Sequence, residues 1–180
     1  MLIINAPGGE FWNEQTNEFI HTKPITLKLE HSLISISNWE MKWHVPYFSA
    51  NKTNDQALDY IKCMCLNKEL PNDALLSLSQ KNVTEINEYM LDSMTATTIS
   101  EVQDAAKSKS QIVTSELIYY WMIQFGIPFT CDKWHINRLI MLIRVCSEEQ
   151  KPKKEKSKKQ LAAEYRALNA ARRAKYNTKG

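Results

Sequence analysis

The chain has 180 residues, of which 43% are hydrophobic and five are Trp, and this is enough for the core of a single domain. Its four Gly residues argue against a turn-dense β-sandwich and against a glycine-rich loop that binds phosphate. No apolar run reaches the roughly 18 residues of a membrane span, and the first residues lack the pattern of a signal peptide. We therefore expect a cytosolic protein that does not bind a membrane.

Charge is divided unevenly along the chain. Residues 151–180 contain eleven Lys or Arg and only two acidic residues, which gives this segment a net charge of +9. Residues 1–150 contain twelve basic and eighteen acidic residues, which gives a net charge of −6. The sequence therefore predicts an acidic body with a basic C-terminal arm, and such an arm is typical of contact with nucleic acid or with an acidic protein surface.

Residues 1–31 carry the signals of β-strands. A short apolar run at residues 2–4 precedes a Pro-Gly-Gly turn, and residues 10–12 and 18–21 are suited to the two arms of a hairpin. In residues 24–30 (PITLKLE) apolar and polar side chains alternate, which is the period of a half-buried strand. We predict a small antiparallel sheet at this end of the chain.

The segment from residue 35 to Pro46 favours a helix, although a strand over residues 33–36 also fits the pattern, and Ser32 is a candidate cap. Trp39 and Trp43 are one helical turn apart and would share a face. Two interpretations stay open for this pair. Either both indoles anchor the core, or they line a groove that contacts a partner.

Further helices are expected over residues 53–66, after Pro71, and from Thr84 onward. The most hydrophobic part of the chain, residues 114–146, then predicts two apolar helices joined by a Gly-x-Pro break. Asp132 is the candidate N-cap of the second helix. We expect the two helices to form an antiparallel pair that is central to the core. Their apolar faces comprise Leu117, Ile118, Trp121, Met122 and Phe125 in the first helix and Ile136, Leu139, Ile140 and Ile143 in the second.

Other residues of these segments are candidates for partner contact. Tyr119 and Tyr120 are adjacent on the first helix of the pair, with the filling of the core as the alternative role. In the arm, residues 148–160 contain no apolar residue except Pro152 and should be a solvated linker. Residues 160–176 are rich in Ala and predict a helix that is marginal on its own. Its candidate contact residues are Arg166, Arg172 and Arg173.

These elements predict an α+β fold that is mainly α. It would have a small N-terminal antiparallel sheet, a helical domain with a central helical hairpin, and a basic C-terminal arm. The predicted globular domain covers residues 1–148, with strands in residues 1–31 and helices in residues 35–148. Residues 149–180 form the basic linker and the marginal helix.

No motif for catalysis, cofactor binding or metal binding stands out. Cys63 and Cys65 are two positions apart on a predicted helix, so their thiols would point away from each other. Cys131 and Cys146 flank a helix and would be about 22 Å apart along it. The four His residues form no metal-binding or catalytic pattern, and no phosphate loop or nucleophile elbow is present. The sequence thus predicts a protein that is not an enzyme and has no cofactor.

Several stretches resemble a group of small proteins encoded by tailed bacteriophages, and within that group the tail assembly chaperones. The resemblance begins at about residue 24. It is carried by residues 29–35 (LEHSLIS), 39–44 (WEMKWH), 86–89 (INEY), 94–98 (MTATT), 116–122 (ELIYYWM), 127–131 (IPFTC), 133–139 (KWHINRL) and 168–173 (LNAARR).

The resemblance implies a non-enzymatic chaperone that keeps the tape measure protein of the phage tail soluble in the host cytoplasm during tail assembly. Another tail protein or a second copy of the chain would be further partners. Two other functions stay open from the residues themselves. One is nucleic-acid binding through residues 151–179, and the other is a structural role in the virion.

Overall fold

The computed structural model describes residues 1–13, 17–49, 51–71, 73–98, 112–150 and 158–176. In the described residues, antiparallel strands at the N-terminus are followed by six α-helices, and helical residues far outnumber strand residues. The predicted α+β fold with mainly α character is therefore confirmed. By their internal contacts, Met1–Glu148 and Glu149–Gly180 form two compact units.

The strands pair in two two-stranded antiparallel sheets instead of one larger sheet. β1 pairs with β4, and β2 pairs with β3. The hairpin that the sequence predicts is confirmed as β2 and β3. The strands are β1 (Leu2–Ala6), β2 (Gly9–Asn13), β3 (Glu18–Thr22) and β4 (Ile25–Leu29).

Both sheets share one pairing register, so the strands form a single long ribbon with a break in the middle. The numbers of paired residues add up to 31 in each sheet, as for Ala6 with Ile25 and for Gly9 with Thr22. At the break, a Cβ on Gly8 would lie only 2.5 Å from the carbonyl oxygen of Thr22. Such a contact is too close for any side chain, so glycine is required where the ribbon changes from one sheet to the next.

The helices are separated by turns and by two short 3₁₀ segments, Ala74–Ser77 and Phe129–Lys133. α1 packs against α2, and α1 also contacts α4. The helices are α1 (Leu33–Trp43), α2 (Asn54–Met64), α3 (Gln80–Leu91), α4 (Ser115–Gln124), α5 (Ile136–Gln150) and α6 (Lys158–Tyr176).

Caps decide where most of these helices begin. The side chain of Ser32 accepts a hydrogen bond from the N–H of Ser35 and caps α1, as the sequence predicts. Thr53 caps α2 in a capping box with Gln56. At the end of α2, the N–H of Leu66 donates to a carbonyl oxygen of β4 at 2.8 Å, which connects the helical part to the ribbon.

Two predicted helix starts are wrong. α3 does not begin at Thr84, because Ser79 and Asn82 form a capping box that starts the helix several residues earlier. Asp132 does not cap the second core helix, because it lies inside the 3₁₀ segment Phe129–Lys133. α5 begins only at Ile136, whose N–H donates to the carbonyl oxygen of His31 at 2.7 Å. Both errors have the same physical cause, since several polar residues near each start compete for the capping role.

The core collects apolar side chains from the ribbon, from α1 to α3 and from both helices of the predicted hairpin. Ile118 and Met122 of α4 are fully buried. Ile136, Leu139 and Ile143 of α5 are also buried. The central apolar segment therefore supplies much of the core, and burying each such side chain contributes about 1.5–3 kcal/mol.

Candidate partner-binding site

α4 is apolar on more than the side that it buries. Ile118 and Met122 face the core, whereas Tyr120 and Ile123 are 54% and 61% exposed. Trp121 is half-buried between these two groups. A surface helix of a globular protein usually keeps its outer side polar, so apolar groups around most of α4 point to a surface that is used for contact.

The start of α4 is fixed by contacts with α1 and with the loop that follows α1. The side chain of Thr114 accepts a hydrogen bond from the N–H of Leu117. The buried carboxylate of Glu40, from α1, accepts hydrogen bonds from the N–H of Ser115 and from the N–H of Tyr47, each at 2.7 Å. A carboxylate is favoured at a helix N-terminus because unpaired N–H groups and the helix dipole are positive there.

An open cavity of about 520 Å³ lies between α4 and α5. Small-molecule pockets and recognition grooves are commonly in this size range. Six of the eight side chains that line it are apolar, and the remaining two, Arg144 and Ser147, come from α5. We call this cavity the α4/α5 cleft, and its lining consists of Phe48, Val113, Trp121, Phe125, Ile140, Ile143, Arg144 and Ser147.

Helical spacing explains how the two walls arise. Trp121 and Phe125 are four residues apart and therefore lie on one side of α4 and its C-terminal cap. On α5, Ile140, Arg144 and Ser147 follow at intervals of four and three and share one side. That side is apolar near Ile140 and becomes polar toward Ser147. The α4/α5 cleft therefore has an apolar floor and a polar, cationic edge.

Trp39 and Trp43 differ in exposure, although the indole N–H of each donates a hydrogen bond to α2. Trp39 is fully buried, and its indole N–H donates to the carbonyl oxygen of Gln56 at 2.9 Å. Its side chain offers no surface to a partner, so we do not keep Trp39 among the contact residues. Trp43 is half-buried, and its indole N–H donates to Asp59 at 2.8 Å. Both indoles therefore anchor α1 to α2.

Asp59 connects this part of α1 to α2 a second time through an ion pair with Lys42. Although burial acts to raise the pKa of Asp59, hydrogen bonds from Lys42 and Trp43 keep that pKa below its ordinary value. The Asp59 carboxylate is therefore charged at neutral pH and has two partners, which makes it a structural group.

Tyr119 and Tyr120 are not part of the lining of the α4/α5 cleft. Tyr119 is half-buried, and its ring lies 6.1 Å from that of Phe129, centroid to centroid. Burial and then the nearby Asp132 carboxylate raise the pKa of Tyr119, so its hydroxyl stays protonated. Tyr120 is exposed, and among the four aromatic residues proposed from the sequence it is the most accessible to a partner.

The residues that line the cleft were missed as contact residues, although the sequence contained a signal for them. Trp121, Phe125, Ile140 and Ile143 were all assigned to the apolar faces that pack the hairpin together. In the structure Ile143 is buried and the other three are half-buried along the cleft. The signal is that α4 has more apolar residues than one face can hold, since SELIYYWMIQ is apolar nearly all round.

The second unit contains the basic helix α6. Arg166, Arg172 and Arg173 are all exposed, as the sequence predicts for contact residues of an arm. Arg166 and Arg173 are seven residues apart and share one side of the helix. The linker predicted over residues 148–160 lies mostly outside the described residues, and at its described ends α5 extends to Gln150 and α6 begins at Lys158.

The largest group of buried titratable side chains lies away from the cleft. His31 is hydrogen-bonded through Nδ1 to the hydroxyl of Tyr60, and its ring lies 5.1 Å from that of His135, centroid to centroid. Burial, then His135 and then Lys52 lower the pKa of His31 to about 3. Burial also lowers the pKa of His135, whose Nε2 is hydrogen-bonded to the carbonyl oxygen of Tyr89 at 3.0 Å.

Both imidazoles are therefore neutral at physiological pH. They hold together four segments that are distant in the sequence, and neither lines the α4/α5 cleft. In the residues that the structure describes, no group of three or more His, Cys, Asp or Glu side chains is arranged to hold a metal ion. Cys63, Cys65, Cys131 and Cys146 are all free thiols.

Comparisons with protein-family models, with curated proteins and with solved structures find no match. The resemblance to tail assembly chaperones therefore stays a prediction from the sequence. In the described ranges, no helix is both long enough and apolar enough to cross a membrane.

Proposed function

We propose that the protein is a non-enzymatic chaperone that holds an apolar helical segment of a client protein in the α4/α5 cleft. The observation that carries the proposal is the lining of the cleft, in which six apolar side chains surround an open cavity of about 520 Å³. Apolar surface in contact with water is unfavourable by about 25 cal/mol per Å². A partner that covers this lining would gain that free energy.

The shape of the cleft favours a helical client. Two helices form its walls, and the apolar side chains on each wall repeat at helical spacing. A groove of this kind accepts the apolar side of an amphipathic helix, whose anchoring side chains repeat at positions i, i+3 or i+4, and i+7. Tyr120 and Ile123 are exposed on α4 outside this lining.

The resemblance to tail assembly chaperones supplies the identity of the client. It would be the tape measure protein of a tailed phage, or another tail protein, kept soluble in the host cytoplasm during tail assembly. A holding role needs an apolar groove and no reaction centre.

The test is co-expression of the tape measure protein with three forms of this chain. Ile140→Asp places a charge in the cleft, and Ile123→Asp places the same charge on an exposed position of α4 outside the lining. We expect the wild type and Ile123→Asp to keep the client soluble, and Ile140→Asp to lower the soluble fraction toward that of the client alone. Thermal unfolding of each variant establishes that both remain folded.

Two results would count against the proposal. In the first, the client precipitates equally with and without the wild-type chain. In the second, both folded variants lose activity to the same extent, which would mean that α4 acts through its outer side and not through the cleft.

Nucleic-acid binding through residues 151–179 is the second candidate function, favoured by the exposed Arg166, Arg172 and Arg173 of α6. Contacts with phosphates release counterions, so such binding would weaken steeply as salt is added. Salt-dependent binding of the full chain to DNA, lost on truncation after Glu148, would favour this function. A structural role in the virion would require an oligomer of this chain, which a mass measurement in solution would detect.

A further inference from the structure

We infer that the segment bound in the α4/α5 cleft carries an acidic side chain beside its apolar stripe, and that Arg144 pairs with this acid. The inference rests on the proposed function, because it concerns the same cleft and names the chemistry of its partner. Its basis is the contrast between the apolar lining and the single cation that borders it.

Arg144 lies where a bound segment could reach its guanidinium group. It is exposed on α5, directly after the buried Ile143, and it lines the cleft. Among the residues that the structure describes, Arg144 takes part in no ion pair. Arg138 on the same helix differs, because its guanidinium group lies 4.2 Å from the ring centroid of Trp134 and is already in contact with an aromatic face.

An arginine at the edge of an apolar groove favours a bound segment that carries a negative charge. When a client helix covers the lining, water is removed from around the guanidinium group, which strengthens its attraction to a carboxylate and its repulsion of a second cation. The planar guanidinium group also matches a carboxylate in geometry and can bind it through two parallel hydrogen bonds. Ser147, one turn further along α5, adds a hydroxyl on the same side.

The spacing along α5 limits the length of the contact. From Ile140 to Ser147 the cleft follows α5 for seven residues, which is about 10 Å or two helical turns. A client helix aligned with α5 would therefore insert about two turns of apolar side chains and place its acidic residue near the Arg144 end. This arrangement would fix the direction in which the client helix lies, because the floor is apolar at the other end.

Two fluorescently labelled synthetic peptides test the inference with the full chain. They share one amphipathic helical sequence with a leucine stripe, and they differ only beside the stripe, where one carries Glu and the other carries Lys. Binding is followed by fluorescence anisotropy at physiological salt. We expect the wild type to bind the Glu peptide about tenfold more tightly than the Lys peptide.

Matched variants assign that preference to the cleft. Arg144→Glu should abolish or reverse it, whereas Arg138→Glu, an equal change of charge on the same helix outside the lining, should preserve it. The basic arm is present in both variants and cannot account for a difference between them. The inference is overturned if the wild type shows no preference for the Glu peptide, or if Arg144→Glu and Arg138→Glu behave alike.

Ile140→Asp distinguishes this failure from a failure of the proposed function. If Ile140→Asp weakens the binding of both peptides while Arg144→Glu leaves the preference intact, the cleft binds helices but Arg144 is not the source of the preference. If Ile140→Asp binds both peptides as tightly as the wild type, the cleft is not the binding site, and both proposals fail.

Discussion

The carboxylate of Glu40 on α1 accepts a hydrogen bond at 2.7 Å from the N–H of Ser115, the first residue of α4, 75 positions later in the chain. The other oxygen of the same carboxylate accepts a hydrogen bond from the N–H of Tyr47. One buried acid thus fixes the loop after α1 and the start of α4. Because α4 forms one wall of the α4/α5 cleft, this contact also positions the candidate binding site.

Removal of this carboxylate should destabilise the fold. Glu40→Ala leaves two backbone N–H groups without their acceptor, and each unpaired group costs about 1–3 kcal/mol, so we expect a loss of roughly 3 kcal/mol. Glu40→Gln keeps one acceptor oxygen and should lose less. Urea unfolding at neutral pH measures both values. Glu116→Ala, at an exposed acid in the first turn of α4, is the matched control and should cost less than about 1 kcal/mol.

The low pKa of His31 predicts a loss of stability in acid. Burial, His135 and Lys52 lower this pKa from 6.5 to about 3, so between these values the unfolded chain binds a proton that the folded chain does not. The stabilisation is therefore complete above pH 6.5 and is lost as the pH falls toward 3. One such group changes the free energy of unfolding by up to about 1.4 kcal/mol per pH unit.

Urea unfolding between pH 7 and pH 4 checks this slope. His31→Gln should reduce it, and the part that remains should include His135, whose pKa is also lowered by burial. An equal slope in the wild type and in His31→Gln would contradict the assignment.

Gly126 ends α4 in a left-handed conformation with φ of +65°, and a Cβ placed there would meet no atom within 4 Å. A substitution at this position therefore tests backbone conformation without a steric clash. Gly126→Ala should cost about 1–2 kcal/mol, and Gly126→Asn should cost less because Asn tolerates this conformation. Thermal unfolding of the two variants provides the comparison, and equal melting temperatures would argue against strain at this turn.

Lys52 stabilises the loop between α1 and α2 through an aromatic contact. Its Nζ lies 3.8 Å from the ring centroid of Tyr47 and donates a hydrogen bond to the carbonyl oxygen of the same residue at 2.7 Å. Lys52→Met removes both interactions and should cost about 1–2 kcal/mol. Lys62→Met, at an exposed position of α2, should be close to neutral in the same urea titration. A neutral result for Lys52→Met would mean that water replaces both contacts at no cost.

Local patterns predicted the elements of this fold, because their causes lie within a few residues. Alternation in residues 24–30 predicted β4, and Ser32 predicted the start of α1. Local patterns failed where several residues could perform the same task. Both Ser79 and Thr84 are suitable caps, and in the structure Ser79 caps α3 through its capping box with Asn82.

The candidate site also combines features that local patterns predicted with features that they did not. Sequence spacing marked Trp121, Phe125 and Ile140 as apolar, and this property was correct. It could not tell whether α4 and α5 would close on each other over their whole length. In the structure α4 packs against α1, and the α4/α5 cleft remains open beside that contact.

The sequence by itself determined the strands, most of the helices and the contrast between an acidic body and a basic arm, since hydrophobic periodicity, caps and charge are properties of neighbouring residues. Only the tertiary structure decided which apolar side chains are sealed in the core and which border a cavity. That choice depends on pairings such as Glu40 with Ser115 and His31 with Tyr60, which join residues that are far apart in the chain. No local pattern encodes such pairings, because their free energy arises only when the separate elements are packed together.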